Sequence, residues 1–209
     1  MGKKRPYHHG NLRQALIDAA LELIEERGVS ALTLREVARQ VGVTHAAPQR
    51  HFADRAALVA AVAEQGFRGL AAHVAAVRGS ARTPAQRLRA LGVAYVEYAL
   101  AHPAHLRVMF SPEVADKSRH PELAAAAQAV HAALVDRIAD GQRDGSVAQG
   151  DPDKLSFAAW SMVHGCAVLL IDGQAMGRSK AALIDAVVDR LYLGLAPREP
   201  LRRRLPRRA

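Results

Sequence analysis

Between Thr33 and Phe52 the chain reads TLREVARQVGVTHAAPQRHF, and this stretch restricts the fold more than any other. Thr33 offers a hydroxyl to cap a helix, and Glu36, three residues on, is spaced to reach back in the reciprocal manner of a capping box. Leu34, Val37, Ala38 and Val41 recur behind that cap at helical spacing. Gly42 then supplies a positive φ at little steric cost, so this helix is short. Thr44 is the next cap residue, and a second helix is expected beyond it. On that helix Ala46 and Ala47 are small, while His45, Gln49, Arg50 and His51 carry donors, and Phe52 closes the segment on the core. Two short helices hinged at a glycine, with small residues beside donors, have the shape that enters a DNA major groove.

The flanks support this reading. Leu12, Ala15, Leu16, Ala19, Leu23 and Ile24 follow Asn11 at the spacing of one amphipathic helix that ends at Gly28, which makes a three-helix head. Asp54 caps a fourth helix, expected from Arg55 toward Arg78, with Val59, Val62, Ala63, Gly66, Leu70, Val74 and Val77 on its inner stripe. That helix would join the head to the rest of the chain.

Through Thr33-Leu34-Arg35-Glu36-Val37-Ala38, Gly42-Val43-Thr44, His51-Phe52 and Asp54-Arg55-Ala56-Ala57-Leu58, residues 10 to 60 resemble the TetR family of one-component regulators. The resemblance implies an all-α fold, with an N-terminal helix-turn-helix head and a larger helical body that binds a ligand and dimerises. It places the DNA contacts at Thr33 and Arg35, at Thr44, His45, Ala46, Gln49, Arg50 and His51, and at Arg55, which stands where the family usually has a phosphate-binding lysine. Pro48 and Gln49 depart from the pattern, since a leucine-like residue and a tyrosine are common there. Gln49 retains donors for a phosphate or an adenine edge. Pro48 removes only one early N–H if Thr44 is the cap, so its expected cost is modest.

Charge divides the chain further. Residues 1–55 hold nine Lys or Arg against six acids, residues 56–197 fourteen against thirteen, and residues 198–209 six against one, so the basic excess sits at the two ends. Lys3, Lys4 and Arg5 read either as an arm that tracks phosphate or enters a minor groove, or as a solvated terminus. The Arg-rich tail, with its prolines, reads as disordered. The expected division is an arm at 1–10, a DNA-binding head at 11–55, a helical body at 56–197 and the tail at 198–209. Cys166 is the only cysteine, which excludes an intrachain disulfide; set among Gly165, Ala167, Val168 and Leu169 it reads as a buried, inert thiol. No signal-like segment follows Lys3 and Lys4, and no apolar run is expected to approach a bilayer span, so a cytoplasmic location without membrane contact is expected.

In the body, Pro84 to His102 reads as a helix carrying Leu88, Leu91, Tyr95 and Tyr98, and a short piece follows from Pro103 to Ser111 with His105, Leu106, Met109 and Phe110. Pro121 opens a long helix that Gly145 closes. Asp151-Pro152 is a helix start, and the segment to Gly173 is apolar nearly all round, with Leu155, Ala159, Met162, Cys166 and Leu169 on one stripe and Trp160, Val163, His164, Ala167 and Leu170 on the next. A last helix runs from Lys180 to Ala196. Both final helices show more apolar surface than one subunit needs, so a homodimer through them is expected, as the resemblance also implies, and it suits a palindromic operator.

Trp160 through Gly165 resembles the Trp, His-Gly signature of one TetR-like C-terminal subgroup. His164 beside Trp160 is either a ligand contact or a core histidine that bonds a backbone carbonyl. His131, Tyr95, Tyr98, His102, His105, Met109 and Phe110 are further candidate lining residues for an effector. No set of ligands completes a metal site around His102 and His105 or around His8 and His9, no cofactor motif occurs, and no nucleophile with a base can be assembled, so neither an enzyme nor a metalloprotein is expected. The leading expectation is a ligand-responsive repressor, released from an inverted repeat by a small molecule. The alternative is a constitutive or architectural DNA-binding protein without an inducer.

Overall fold

The structure is a computed structural model that describes residues 11–76 and 83–197; Val77, the basic residues Lys3, Lys4 and Arg5, and the tail from Arg198 lie outside the described residues. Within them every regular element is helical and there is no strand. The α-helices are α1 (Leu12–Arg27), α2 (Leu34–Val41), α3 (Arg55–Ala76), α4 (Pro84–Ala101), α5 (Pro103–Met109), α6 (Pro121–Arg143), α7 (Pro152–Ile171) and α8 (Lys180–Leu195).

Local chemistry sets most of these limits. The side chain of Asn11 accepts from Gln14 N at 3.1 Å, Asp54 from Ala57 N at 2.8 Å, and Asp151 from Asp153 N at 3.0 Å. Each satisfies an amide that a helix start otherwise leaves open, worth about 1 kcal/mol per cap. Thr83 and Gln86 form a full capping box at α4, with bonds of 3.1 and 3.2 Å. At α2 only half of the expected box forms. Thr33 Oγ1 accepts from Glu36 N at 3.2 Å, but the Glu36 carboxylate takes the Thr33 hydroxyl and the Arg27 guanidinium instead of the Thr33 amide. Gly42 ends α2 at φ +81°, in the left-handed region.

One core runs from Leu16 in α1 to Leu195 in α8. α3 is its spine: it packs on α1 in the head and on α4, α5 and α6 in the body. Close approach is built into it at Gly66, where an added Cβ would lie 2.7 Å from Met109 Sδ, and at Gly69, which faces the Tyr98 hydroxyl. α7 and α8 pack on each other and on α4, at the other side of the body.

Two expectations for α7 are corrected. Its inward residues are Ser156, Ala159, Val163, Cys166, Ala167 and Leu170, a mixture of the two expected stripes, while Met162 and Leu169 point outward. The reason is that α7 is covered on one side only, by α4, α6 and α8, and that side falls between the stripes. α7 is also, by length and composition, long and apolar enough to cross a membrane, contrary to the expectation that no segment approaches that length. Here it serves as a core helix with one uncovered apolar face.

Candidate ligand cavity and DNA-facing surface

The segment after Gly42 is not the α-helix the sequence suggested. Residues 45–47 form a turn, with Ala47 N bonded to Thr44 O at 3.0 Å, and Pro48–Arg50 is a single 3₁₀ turn. Pro48 is the cause. The first α-type bond after a Thr44 cap would run from residue 48 to the Thr44 carbonyl, and proline has no N–H to make it. The effect reaches further than the modest cost expected, because the missing bond is the nucleating one in so short a segment. Pro48 itself is buried, and Phe52 anchors the segment as expected, with the Arg13 guanidinium 5.5 Å from its ring centre.

Thr44, His45, Ala46, Gln49, Arg50 and His51 are all exposed, as are Thr33 and Arg35 at the start of α2. Among the described residues neither Arg35 nor Arg50 has a carboxylate within ion-pair distance. Arg39, one turn beyond Arg35 on α2, is exposed in the same way and was missed; its i+4 spacing from Arg35 was the available signal. Arg55 is different, because part of its guanidinium is already engaged within the protein. Its Nε donates to Leu32 O at 2.9 Å and its Nη2 to Val29 O at 2.5 Å, and the same Nη2 lies 3.7 Å from Glu113. Two carbonyls at the loop before α2 take the Nε and Nη2 donors, so Arg55 braces the head, and its approach to Glu113 is its one contact toward the body.

Beneath α3 the body holds a cavity of about 210 Å³, small beside the roughly 300–1,000 Å³ of typical ligand sites. α3 contributes Phe67, Leu70 and Val74; α4 Leu88, Leu91 and Tyr95; α6 Val130, His131 and Leu134; α7 Ala159, Trp160 and Val163, with Phe110, Lys117 and Leu191 completing the wall. Of the nine candidate lining residues, Tyr95, Phe110, His131 and Trp160 reach it. Tyr98, His102, His105, Met109 and His164 do not. Tyr98 is buried against α3 and donates to Gly66 O at 2.9 Å, Met109 and His105 pack at Gly66, and the exposed His102 rests 4.6 Å from the Tyr98 ring. Tyr98, His105 and Met109 are instead spent on the packing of α4 and α5 against α3 at Gly66 and Gly69.

Tyr95 organises one wall. Trp160 Nε1 donates to its hydroxyl at 3.3 Å, and the hydroxyl lies 2.8 Å from His164 Nδ1. Burial pushes the Tyr95 phenol up to about 12, so it keeps its proton, and burial also lowers His164, so the imidazole is neutral. The assignment that satisfies all three groups is Tyr95 donating to Nδ1, with the His164 proton on Nε2. His164 thus bonds within the protein, to the Tyr95 hydroxyl and not to the backbone carbonyl expected of a core histidine, and it holds Tyr95 from behind. The Cys166 thiol is pushed up by burial, which keeps it protonated and unreactive. Among the described residues no cluster of three or more His, Cys, Asp or Glu side chains is arranged to hold a metal ion.

The missed lining residue with most chemical content is Lys117. It sits in a polar loop, AspLysSerArg, which reads in sequence as an ordinary solvated turn; only the fold brings it over the Phe67 ring, 5.9 Å from its centre.

Comparison with known proteins agrees with this geometry. Residues 16–62 match the family model described as "Bacterial regulatory proteins, tetR family", and residues 88–191 match "Tetracyclin repressor-like, C-terminal domain". The HTH-type transcriptional regulator BetI of Rhizobium meliloti (strain 1021) is 35% identical over 79 residues, 38% of this chain and 39% of that protein. The aligned part thus spans well under half of that curated relative. A solved protein of unknown function from Rhodococcus sp. RHA1 is 35% identical, with a TM-score of 0.79 over 93% of this chain and 100% of that one. PfmR of Thermus thermophilus, a TetR family transcriptional regulator, shares the fold at 18% identity, with a TM-score of 0.69 over 87% of this chain and 99% of its own. With a head and a body that match the two halves of one family, the chain belongs to the TetR family of DNA-binding transcriptional regulators and is not an enzyme.

Proposed function

We propose that this regulator is a cytoplasmic, ligand-responsive repressor that holds an inverted-repeat operator as a homodimer and leaves it when a small molecule enters the body. The observation that carries the reading is α3: the helix begins at Arg55 beside the DNA-facing segment and contributes Phe67, Leu70 and Val74 to the cavity wall. A ligand that favours one position of α3 changes the orientation of the head by as much as its affinity differs between the two positions. On this reading residues 11–55 form the head and residues 56–197 the sensing and dimerising body, with Lys3, Lys4 and Arg5 as a phosphate-tracking arm.

Dimerisation through α7 and α8 is supported by an uncovered apolar surface: Phe157 is 63% exposed, Leu169 56% and Leu193 59%, with Met162 and Val168 beside them. A patch of this kind marks an interaction face on a soluble protein. Two-fold pairing would present Arg35, Gln49 and Arg50 of each head to half-sites about 34 Å apart, one helical turn of DNA. The test combines light scattering with operator binding on Leu169→Glu. The proposal expects a folded monomer whose operator affinity falls steeply. A folded variant that stays dimeric refutes the interface, and one that becomes monomeric with full operator affinity refutes symmetric recognition. Release is tested by screening metabolites for thermal stabilisation and asking whether any hit loosens the operator complex. A panel in which every stabilising compound leaves operator affinity unchanged favours the constitutive alternative.

A further inference from the structure

We infer that the cavity takes an apolar molecule bearing one carboxylate, with Lys117 as its counter-ion. This rests on the ligand-responsive reading above and specifies its chemistry.

The wall is apolar except at a few points, and nearly all of its donors are spent. The Trp160 N–H goes to Tyr95, the Tyr95 hydroxyl to His164, and His131 Nε2 lies 3.1 Å from Asp153 Oδ1 at the solvent side. Lys117 is the exception. Its ammonium makes one long bond, 3.4 Å to Val114 O, and stands over the face of Phe67. The two carboxylates nearest in sequence are already committed: Asp116 accepts from both the amide and the hydroxyl of Ser118, and Glu113 faces Arg55. Among the described residues no carboxylate lies within ion-pair distance of Lys117. A half-buried cation at the edge of an apolar cavity, with one long bond to the protein and no carboxylate partner among the described residues, is completed by an anion brought by the ligand.

The same accounting fixes how much charge the ligand carries. One lysine balances one negative charge; no arginine fork lines the cavity to take the second charge of a phosphate monoester. A ligand with further polar groups would leave them without partners against Leu70, Leu91, Val163 and Leu191, which costs affinity for each group buried. Small volume and an aromatic row from Phe67 through Phe110 to Trp160, with ring centres 5.6 and 5.5 Å apart, suit a medium-length alkyl chain or one ring.

The experiment uses the full chain and two probes of equal length, decanoate and decanol, both below their self-association concentrations, near pH 7.5. Calorimetry measures binding and a gel shift measures operator release, for wild type and for Lys117→Met, which keeps the aliphatic stem and removes the charge. The expected result is decanoate binding at least about tenfold tighter than decanol, the scale of one charge-assisted hydrogen bond. In Lys117→Met the preference disappears while decanol binds as before. Equal binding of the two probes to wild type, or an unchanged decanoate preference in Lys117→Met, overturns the inference. If decanol binds and releases the operator while decanoate does no better, the inference fails and the ligand-responsive reading survives. If neither probe binds, the inference fails, and the reading then stands or falls on the wider metabolite screen.

Discussion

Arg55 separates two accounts of the same residue by measurement. Replacing it with Met keeps most of the aliphatic stem and removes the guanidinium. In the structure that change deletes the donors to Leu32 O and Val29 O and the 3.7 Å approach to Glu113. A hydrogen bond from a charged donor is worth about 1.5–3 kcal/mol when buried. The Arg55 side chain is 35% exposed, so its partners can partly rehydrate, and the two bonds together are worth about 2–3 kcal/mol; the part-exposed ion pair adds under about 1 kcal/mol. For a chain of this size each kcal/mol moves the melting temperature by roughly 2–4 °C, so Arg55→Met should melt about 4–16 °C below wild type. Protein concentration is held fixed, because melting of an oligomer depends on it. Operator binding across a salt series then supplies the second readout. A phosphate contact contributes about 0.9 to the slope of log affinity against log salt, whereas a side chain spent inside the protein contributes none. The expected outcome is a lower melting temperature with an unchanged salt slope. A slope reduced by about 1.8, two contacts per dimer, with the melting temperature intact would show that Arg55 serves the DNA backbone, and its internal role would be refuted.

Acid should weaken the fold through two histidines. Burial, helped by His102, lowers the pKa of His105, with Asp18 opposing, and burial lowers His164; the unfolded chain takes up their protons near 6.5 while the folded chain resists, so stability is full above that pH and lost as pH falls below it. The melting temperature of a His105→Leu, His164→Leu double variant should fall less between pH 7 and 5, and an equally steep fall refutes the assignment. Gly69→Ala drives a methyl into the Tyr98 hydroxyl and should cost about 1–2 kcal/mol net of the gain in helix propensity. In a Tyr98→Phe background the same change should be neutral or stabilising, and a double-mutant cycle without coupling sinks that explanation. Pro48→Leu restores an amide facing the Thr44 carbonyl, so helical signal by circular dichroism should rise and operator affinity should change; identical spectra and affinity would mean that proline is not what shapes the segment.

The limits of α1, α4, α7 and α8 were legible because caps, prolines and glycines act over three or four residues, and the family was legible because the head motif is equally local. The lining of the cavity was not. Tyr95 and Tyr98 lie three residues apart on α4, yet one reaches the cavity and the other buries its hydroxyl against α3, and helical spacing cannot tell which side of a helix meets which neighbour. Pro48 was visible, but the consequence of one missing amide depended on how few bonds the short segment had to lose.

Sequence by itself determined the all-helical character of the described residues, the limits of α1, α4, α7 and α8, and a basic head, since propensity, capping and charge are properties of neighbouring residues. Tertiary structure alone decided that Arg55 meets the Val29 and Leu32 carbonyls, that His164 supports Tyr95, and that Lys117 meets an apolar cavity. Each of those depends on carbonyls, rings or carboxylates tens of residues away in sequence, and only packing brings such groups within the few ångströms over which they act.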